Sequence, residues 1–235
     1  MQFTSLNGMY GPAKKAIGET GGASDTYWDN VTLLIQSNNE PDGSTNFVDY
    51  SSYAHTVNTT KGAPTHSTAQ AIFGSSSIDL YTSKAIGAVD TDSIFEGDFT
   101  VEAWFYCVGL PSSGNAFSYL LFSNAAKTYF YPAPTRGYWI NNVKYIAGVP
   151  VLPAEQWSHL ALTREGSTLR HFINGVQLAT GTYAGSANFT NMNLGRYVPN
   201  DNAAFNGYVD QFRMTKDVAR YTEDFTPPTQ AFPTS

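Results

Sequence analysis

The chain has 235 residues, a formal net charge of −6 and only 14% charged side chains. This acidic balance argues against nucleic acid as a main partner, because phosphate binding needs a basic surface. No stretch approaches the roughly 18 consecutive apolar residues of a membrane-spanning helix, so no membrane insertion is expected. Residues 1–22 lack the apolar centre of a signal peptide, which predicts a protein that is made in the cytoplasm.

Residues 1–27 are expected to form an irregular N-terminal arm. They are rich in Gly, Ala and Ser and show no sustained hydrophobic periodicity. Two interpretations stay open. The arm is either a disordered tail or an anchoring segment that becomes ordered on a partner, with Phe3, Leu6, Met9 and Tyr10 as its apolar contacts.

Residues 28–235 are expected to form one all-β domain, because short apolar segments alternate there with turn-forming residues and no long helical periodicity, tandem repeat or linker is present. Pro132 and Pro134 indicate a sheet edge, and Lys216–Tyr221 is expected to make one helical turn. Besides a central meander, the expected strands are Val31–Gln36, His55–Thr59, Ser77–Tyr81, Asp98–Cys107, Ser118–Ser123, Lys127–Tyr131, Gly137–Ile140, Val143–Ala147, Met192–Arg196 and Gly207–Thr215.

The meander is Trp157–Ala179, with the sequence WSHLALTREGSTLRHFINGVQLA. Asn174-Gly175 between alternating apolar residues is a strong hairpin signal, since both central residues of a type I′ turn need positive φ. We place the first turn at Glu165-Gly166, which would pair Arg164 with Ser167 and fix the register of the first two strands.

Alternation along the meander separates two faces. A core face would carry Leu160, Leu162, Leu169, Ile173, Val176 and Leu178, with His171 among them. The opposite face would carry Trp157, His159, Arg170, Phe172 and Gln177. His159 and His171 therefore lie on opposite faces and are not expected to share a zinc ion.

The strand Asp98–Cys107 alternates in the same way. Its core face would carry Phe99, Val101, Ala103 and Phe105, and its other face Thr100, Glu102, Trp104 and Tyr106. Cys107 is the only cysteine, so no intrachain disulfide can form, and its apolar strand predicts an inert core thiol.

Several stretches together resemble the laminin-G-like, concanavalin A-like jelly rolls: FVDYSSYAHTV, GDFTVEAWFY, the meander, and FNGYVDQFRMTKDVARYT. They span nearly all of residues 28–235. The resemblance implies a sandwich of two curved antiparallel sheets, a fold that often binds glycans or proteins and sometimes holds a structural calcium ion.

The two ends of this domain, YWDNVTLLIQ and ARYTEDFTPPTQAFP, are similar to the version of the fold found in bacteriophage virion proteins. This similarity implies a capsid decoration or a tail or fibre module, located in the virion after assembly in the host cytoplasm. It also implies that the arm contacts other virion proteins, that host-surface glycan is a further partner, and, by analogy, that the protein is a homo-oligomer such as a trimer.

The non-core face is the candidate binding surface. Aromatic rings stack on sugar rings while carboxylates and amides bind hydroxyl groups. The candidate glycan- or partner-binding residues are Glu102, Trp104, Tyr106, Trp157, His159, Arg170 and Phe172. Three alternatives stay open: these side chains lie under a covering loop, they form a protein–protein interface, or the platform is instead the aromatic span Tyr129–Tyr145.

Asp49 and Asp210 match positions where the resembled family often carries acidic residues, which makes them candidate calcium ligands. Tyr50, Tyr53 and Gln211 depart from the family's pattern and weaken this ligand set. The alternative is that Asp49 caps a turn and that Asp210 bonds to its strand neighbours. No other cofactor is expected.

Glu96, Asp98 and Glu102 resemble the Glu-x-Asp-x-x-Glu pattern of laminarinase-type glycosidases, but the last interval is one residue too long. No catalytic residue is therefore assigned, and Glu102 is expected to be hydrogen-bonded or charge-paired. The favoured function is a non-enzymatic bacteriophage structural protein that displays a lectin-like jelly roll. The alternatives are a free-standing carbohydrate-binding lectin and, less favoured, a glycoside hydrolase.

Overall fold

The structure is a computed structural model, which describes residues 24–82, 84–89, 96–108, 121–123, 128–131, 137–140, 143–147, 152–186, 191–195 and 205–235. These residues contain one 3-10 turn, Trp28–Asn30, and no α-helix. Their strands are β1 Val31–Ile35, β2 Val57–Lys61, β3 Thr65–Ser67, β4 Ser77–Asp79, β5 Ala85–Val89, β6 Phe99–Cys107, β7 Leu121–Ser123, β8 Thr128–Tyr131, β9 Gly137–Ile140, β10 Val143–Ala147, β11 Trp157–Glu165, β12 Thr168–Ile173, β13 Val176–Thr182, β14 Asn191–Leu194 and β15 Gly207–Lys216.

Two antiparallel sheets form a sandwich, so the predicted all-β jelly-roll architecture is confirmed. The larger sheet has the order β13-β12-β11-β6-β15-β4-β3, and β1 also pairs with β15. The other sheet has the order β10-β9-β8-β7-β14-β5-β2. Its edge strand in this region is β10, whereas β8 and β9, which flank the two prolines, lie inside the sheet. Of the described strands, β3 and β5 were not predicted.

The main core lies between the sheets and contains the predicted alternate residues of β6, from Phe99 to Cys107. Leu194 and Ile86 contribute from the facing sheet. Burial raises the pKa of the Cys107 thiol to about 12, as expected for an inert core cysteine.

The first turn of the meander lies one residue later than predicted. Glu165 pairs with Thr168 around the loop Gly166-Ser167, so Leu160 faces Ile173 and does not face His171. The reason is that Gly166, with φ of +56°, occupies the first loop position. The register changes by two residues, so every side chain keeps its predicted face.

The second turn is confirmed at Asn174-Gly175, where both residues have positive φ and Ile173 pairs with Val176. A bulge then places His171 opposite Ala179 and not opposite Leu178 as expected. His171 lies in the core as predicted. Burial lowers its pKa to about 3, so the ring is neutral at physiological pH.

β15 contains a bulge at Gln211, where φ is +53°. The bulge changes the alternation, so Tyr208 and Asp210 share the outer face of the sheet with Arg213. The core face of β15 instead carries Val209, Phe212 and Met214.

After β15 the chain turns back across the outer face of the larger sheet. We call residues 217–235 the C-terminal segment; it contains no helix, so the helical turn expected at Lys216–Tyr221 is wrong. Thr100 and Thr163 donate hydroxyl hydrogen bonds to its carbonyl groups, and Phe225 N donates to Gly175 O over 2.9 Å. These backbone groups bond across elements and therefore form no helix of their own.

The segment then returns toward β1. Phe232 N donates to Gln211 Oε1, and Gln36 Nε2 donates to Phe232 O. The last bond joins Asp25 N to Ser235 O. Asp25, which the sequence places in the arm, is thus held against the domain, whereas Phe3, Leu6, Met9 and Tyr10 lie outside the described residues and their anchoring role stays a prediction.

Candidate functional site

Four cross-strand rows lie on the outer face of β11, β6 and β15: a row of threonines, Thr163, Thr100 and Thr215, and three rows that carry the candidate site. The aromatic row is Trp157, Tyr106 and Tyr208; the middle row is His159, Trp104 and Asp210; the charged row is Ala161, Glu102 and Arg213. Within each row, the residues are direct register partners on neighbouring strands, so their side chains point to the same side of the sheet.

The charged row is buried beneath the C-terminal segment. Arg213 donates two hydrogen bonds to Glu102 Oε1, of 3.0 and 2.8 Å. Glu102 Oε2 accepts from His159 Nε2 at 3.2 Å and from the Tyr221 hydroxyl at 2.8 Å. Glu102 and Arg213 are each 1% exposed, so the predicted charge-paired role of Glu102 is confirmed.

Asp25 completes this network from the N-terminal side. Arg213 Nη1 donates to Asp25 Oδ2 over 2.8 Å. Arg220 binds the same carboxylate through both Nη atoms, at 2.9 and 2.7 Å. Such bidentate pairs fix both partners in orientation, so two acids and two arginines balance each other inside the fold.

The network determines how both acids titrate. Burial alone would raise the pKa of Glu102, but the Arg213 charge and the hydrogen bond from His159 outweigh it, and the pKa lies well below its usual range. Burial of Asp25 is outweighed in the same way, first by the hydrogen bond from Arg220, so the pKa of Asp25 is also lowered. Burial and the Glu102 charge raise the pKa of Tyr221. Both carboxylates are therefore ionised acceptors, not proton donors.

Aromatic side chains of the C-terminal segment seal the network. The rings of Tyr221 and Phe225 stack with centroids 3.6 Å apart. Phe225 packs on Phe172, which is fully buried. On the other side, the Arg213 guanidinium lies 3.8 Å from the Phe232 ring centroid. The charged row is therefore closed to solvent.

The aromatic row is not covered in this way. Trp157, Tyr106 and Tyr208 are all half-buried. Their ring centroids lie 5.6 and 6.0 Å apart in inclined arrangements. This spacing follows the separation of neighbouring strands, so the rings form a continuous apolar strip across the sheet.

Polar groups continue this strip onto β4. Asp79 is the register partner of Tyr208 and pairs with Lys84. Burial, followed by the charges of Asp79 and Tyr106, raises the pKa of Tyr208. The neighbouring Tyr81 is 39% exposed. A ligand on the strip would therefore meet aromatic rings along its length and polar groups at one end.

The middle row separates the two regions. Trp104 packs against His159, with ring centroids 5.2 Å apart, and Phe73 stands edge-on to Trp104. Asp210 Oδ1 accepts from Ser37 N and from Gln211 N. Burial, opposed by these bonds, raises the pKa of Asp210 to about 7.

The seven candidate binding residues are thus divided. Glu102, His159 and Phe172 are buried under the C-terminal segment, as the covering-loop alternative predicts. Trp104, Tyr106 and Trp157 keep partly exposed rings. Arg170 is two residues before Phe172 on the same face of β12, on the side away from the aromatic row, where it donates to Glu165 over 3.0 Å.

The sequence interpretation missed Asp25, Arg213 and Arg220 in the network and Tyr208 in the aromatic row. An arginine within an apolar central strand was the available signal for Arg213, because buried charges are almost always paired. The partners of that arginine come from both ends of the domain, which no local pattern reveals.

The two candidate calcium ligands accept hydrogen bonds in different places: Asp49 caps its own turn, and Asp210 in β15 accepts from Ser37 N and Gln211 N. Asp49 Oδ1 accepts from Leu34 N and Ser51 N, and Asp49 Oδ2 accepts from Ser51 Oγ and His55 N. These donors point their positive ends at the space that a cation would need, so the residues do not fit a calcium ion shared by Asp49 and Asp210. The described residues contain no cluster of three or more metal-ligating side chains.

Two further alternatives raised by the sequence are the carboxylate pattern of Glu96, Asp98 and Glu102 and the aromatic span Tyr129–Tyr145. Asp98 Oδ1 accepts from Gly166 N and Glu96 is exposed, so neither approaches the buried network of Glu102. Much of the aromatic span Tyr129–Tyr145 lies outside the described side chains. In the part of the chain that is described, no helix has the length and apolarity to cross a membrane.

Domain 4 of AbnA, an extracellular arabinanase from Geobacillus stearothermophilus solved with arabinotriose, shares the fold of this chain, with a TM-score of 0.57 and 17% identity, covering 80% of this chain and 92% of that one. The receptor-binding domain of botulinum neurotoxin type G has a TM-score of 0.48 and 12% identity, covering 79% of this chain and 47% of that one.

The exoplasmic domain of VIP36, in a form bound to calcium and mannobiose, has a TM-score of 0.47 and 11% identity, covering 83% of this chain and 92% of that chain. This chain therefore spans about half of the neurotoxin domain and most of the other two. At such identities the likeness concerns the fold alone. A search of curated protein sequences finds no match.

A family model described as the concanavalin A-like lectin/glucanases superfamily matches residues 81–222, which is more than half of the chain. The matched region includes β6, the meander, β15 and the first part of the C-terminal segment. It therefore contains all three rows, but neither Asp25 nor the last contacts of the segment. The chain belongs to the concanavalin A-like lectin/glucanase superfamily.

Proposed function

We propose that this chain is a non-enzymatic carbohydrate-binding module displayed on a bacteriophage particle, as a capsid decoration or a tail or fibre component. The aromatic row carries the carbohydrate part of the proposal: Trp157, Tyr106 and Tyr208 form a half-buried strip with ring centroids 5.6 and 6.0 Å apart. Aromatic rings with a few polar neighbours are typical of sugar sites. The arabinanase domain solved with arabinotriose is a module of the same fold in complex with a sugar.

The charged row supports a non-enzymatic role. Glycosidases need two carboxyl groups beside the scissile bond, and one of them has a raised pKa. Glu102 and Asp25 instead have lowered pKa values and are buried against arginines. A role in holding the fold accounts for both acids, so the glycoside hydrolase is the least favoured hypothesis.

The virion part of the proposal rests on the resemblance of the two domain ends to phage proteins. Those ends contact each other: the Arg220 guanidinium lies over the Tyr27 ring, and Trp28 packs against the cluster that contains Phe232. In this proposal the arm, through Phe3, Leu6, Met9 and Tyr10, attaches the domain to capsid or tail proteins. The module is a homo-oligomer, such as a trimer, and binds host-surface glycan.

A glycan array tests the carbohydrate role. We expect the purified chain to bind a defined group of glycans, and we expect Trp104→Ala and Trp157→Ala to lose that binding. Tyr53→Ala is the matched control, because Tyr53 is an exposed aromatic residue, at 46%, in a separate turn. Binding by both tryptophan variants at the wild-type level would contradict the proposal.

Purified particles test the virion role and distinguish it from a free-standing lectin. We expect the chain to co-purify with particles and to be lost from them when residues 1–23 are deleted. A chain found free of particles that still binds glycan would identify a free lectin. Retention on particles after the deletion would contradict the anchoring role of the arm.

A further inference from the structure

We infer that the aromatic row takes an uncharged oligosaccharide that lies across the strands, with its hydroxyl groups recognised by the middle row. This inference rests on the proposed carbohydrate binding and specifies the class and orientation of the ligand. It is carried by the spacing of the rings, by polar atoms of the middle row that have no hydrogen-bond partner, and by the charges of both rows.

The orientation follows from the register of the strands. Trp157, Tyr106 and Tyr208 are direct partners on three neighbouring strands, so the strip runs perpendicular to the strand direction. Two strand intervals make the strip about 10 Å long. A single sugar covers one ring, whereas a linear oligosaccharide along the strip contacts all three.

The middle row carries one unpartnered polar atom on each residue: Trp104 Nε1, His159 Nδ1 and Asp210 Oδ2. His159 and Asp210 are fully buried. Buried polar groups normally have partners, and one without a partner is unfavourable. Three such atoms in one row, beside an aromatic strip, therefore point to a hydrogen-bonding ligand or water.

These atoms match the hydrogen-bonding capacity of sugar hydroxyl groups. His159 Nε2 donates to Glu102 Oε2, so Nδ1 is the ring atom left for a ligand. Trp104 Nε1 can only donate, and the Asp210 carboxylate can accept. A hydroxyl group both donates and accepts, so it can satisfy either kind of atom. Phe73, half-buried and edge-on to Trp104, is the side chain that would reorient to admit the ligand.

The charges favour an uncharged ligand. Neither the aromatic row nor the middle row contains Lys or Arg. Asp210 lies in the middle row and Asp79 continues the aromatic row, where its carboxylate already binds Lys84. An acidic sugar would meet two carboxyl groups without a free cation in these rows, which is unfavourable at short range.

Isothermal titration calorimetry tests the inference. The ligands are soluble gluco-, manno-, xylo- and galacto-oligosaccharides, from monosaccharide to hexasaccharide, and their affinities are compared with those of sulfated and uronic-acid sugars. We expect affinity to rise with chain length until the strip is filled and then to level off, and acidic sugars to bind more weakly. Trp157→Ala and Tyr208→Ala should each weaken binding about tenfold. Tyr53→Ala should leave binding unchanged.

Trp104→Phe tests the middle row, because it keeps an aromatic ring and removes the indole N–H. We expect weaker binding with the same chain-length dependence. The removed donor has no partner, so folding stability should fall only by the packing that the smaller ring loses against His159 and Phe73. Unchanged affinity would contradict recognition by the middle row.

Three results would overturn the inference and leave carbohydrate binding intact: equal affinity for a monosaccharide and a longer chain, preference for acidic sugars, or glycan binding that Trp157→Ala and Tyr208→Ala do not change. Failure to bind any glycan on the array would instead remove the proposed function, and the inference with it.

Discussion

The charged row and the aromatic row are built on the same three strands and point to the same side of one sheet, yet only the charged row is covered. Glu102 and Tyr106 are four residues apart on β6, and Arg213 and Tyr208 are five apart on β15. The C-terminal segment lies over Glu102 and Arg213. Outward-facing residues of one strand can therefore have two roles. Those covered by the C-terminal segment stabilise the fold, and those left uncovered are available to bind a ligand.

The difference extends to how polar groups are satisfied. In the charged row, the two carboxylates of Glu102 and Asp25 receive hydrogen bonds from two arginines, a histidine and a tyrosine. In the middle row, next to the aromatic row, Trp104, His159 and Asp210 each keep an atom without a partner. Complete pairing favours a structural role, and incomplete pairing favours a ligand.

The largest expected effect comes from removing the cation shared by both acids. Arg213→Ala leaves Glu102 and Asp25 buried with an incomplete set of partners, and we expect a loss of about 3–5 kcal/mol in the free energy of unfolding. Urea unfolding measures this loss. A change below about 1 kcal/mol would mean that the network does not hold the C-terminal segment in place.

The pH dependence of folding stability distinguishes the acids of the charged row from Asp210 in the middle row. The lowered pKa values of Asp25 and Glu102 give stability that is present above the unfolded-state pKa and is lost as pH falls through the folded-state values. The pKa of Asp210 is raised from 3.8 to about 7, so its contribution is present below about pH 4 and is lost as pH rises through about 7.

We therefore expect the stability that Asp210 contributes to fall by on the order of 4 kcal/mol from about pH 4 to about pH 8. The lowered pKa of His171 acts in the opposite direction, because the unfolded chain takes up a proton on that ring below about pH 6.5, so the contribution of Asp210 must be measured as a difference. Urea unfolding of the wild type and of Asp210→Asn, which cannot ionise, gives that difference across this range. A difference that does not change with pH would contradict the assignment to Asp210.

A pair of glycines tests whether the C-terminal segment is packed as tightly as its contacts indicate. Gly166 and Gly175 both have positive φ in two-residue turns. A Cβ at Gly175 would lie 1.9 Å from Phe225 O, whereas one at Gly166 meets nothing within 4 Å. Alanine at either position bears the same backbone strain, but only Gly175→Ala also displaces the segment.

We expect Gly175→Ala to be more destabilising than Gly166→Ala by about 1–3 kcal/mol in urea unfolding. Equal losses of unfolding free energy for the two variants would mean that the C-terminal segment moves at Phe225 with little cost and is not tightly packed over the charged row.

The smallest effect is expected at Arg170. Its side chain is 16% exposed and pairs with Glu165, which is 53% exposed. We expect Arg170→Ala to change the free energy of unfolding by no more than about 1 kcal/mol and glycan binding not at all. A clear loss of glycan binding would contradict this prediction and mean that Arg170 contributes to the binding site.

Alternation was enough to predict the two faces of β6 and of the meander, because burial selects apolar residues at every second position. It could not place Arg213, since the bulge at Gln211 changes the alternation within β15. It also could not show that Glu102 and Phe172 are covered while Trp157 is not. That distinction depends on Tyr221 and Phe225, whose contacts are remote in sequence.

The central claim is that the covered region holds the fold and the aromatic row binds sugar. Paired measurements on Phe225→Ala and Trp157→Ala, urea unfolding and oligosaccharide calorimetry on each, test it most directly. We predict that Phe225→Ala loses about 3–5 kcal/mol of stability and keeps wild-type affinity while folded. Trp157→Ala should weaken binding about tenfold and lose less than about 2 kcal/mol of stability. The reverse pattern, with binding abolished by Phe225→Ala and unchanged by Trp157→Ala, would contradict the claim.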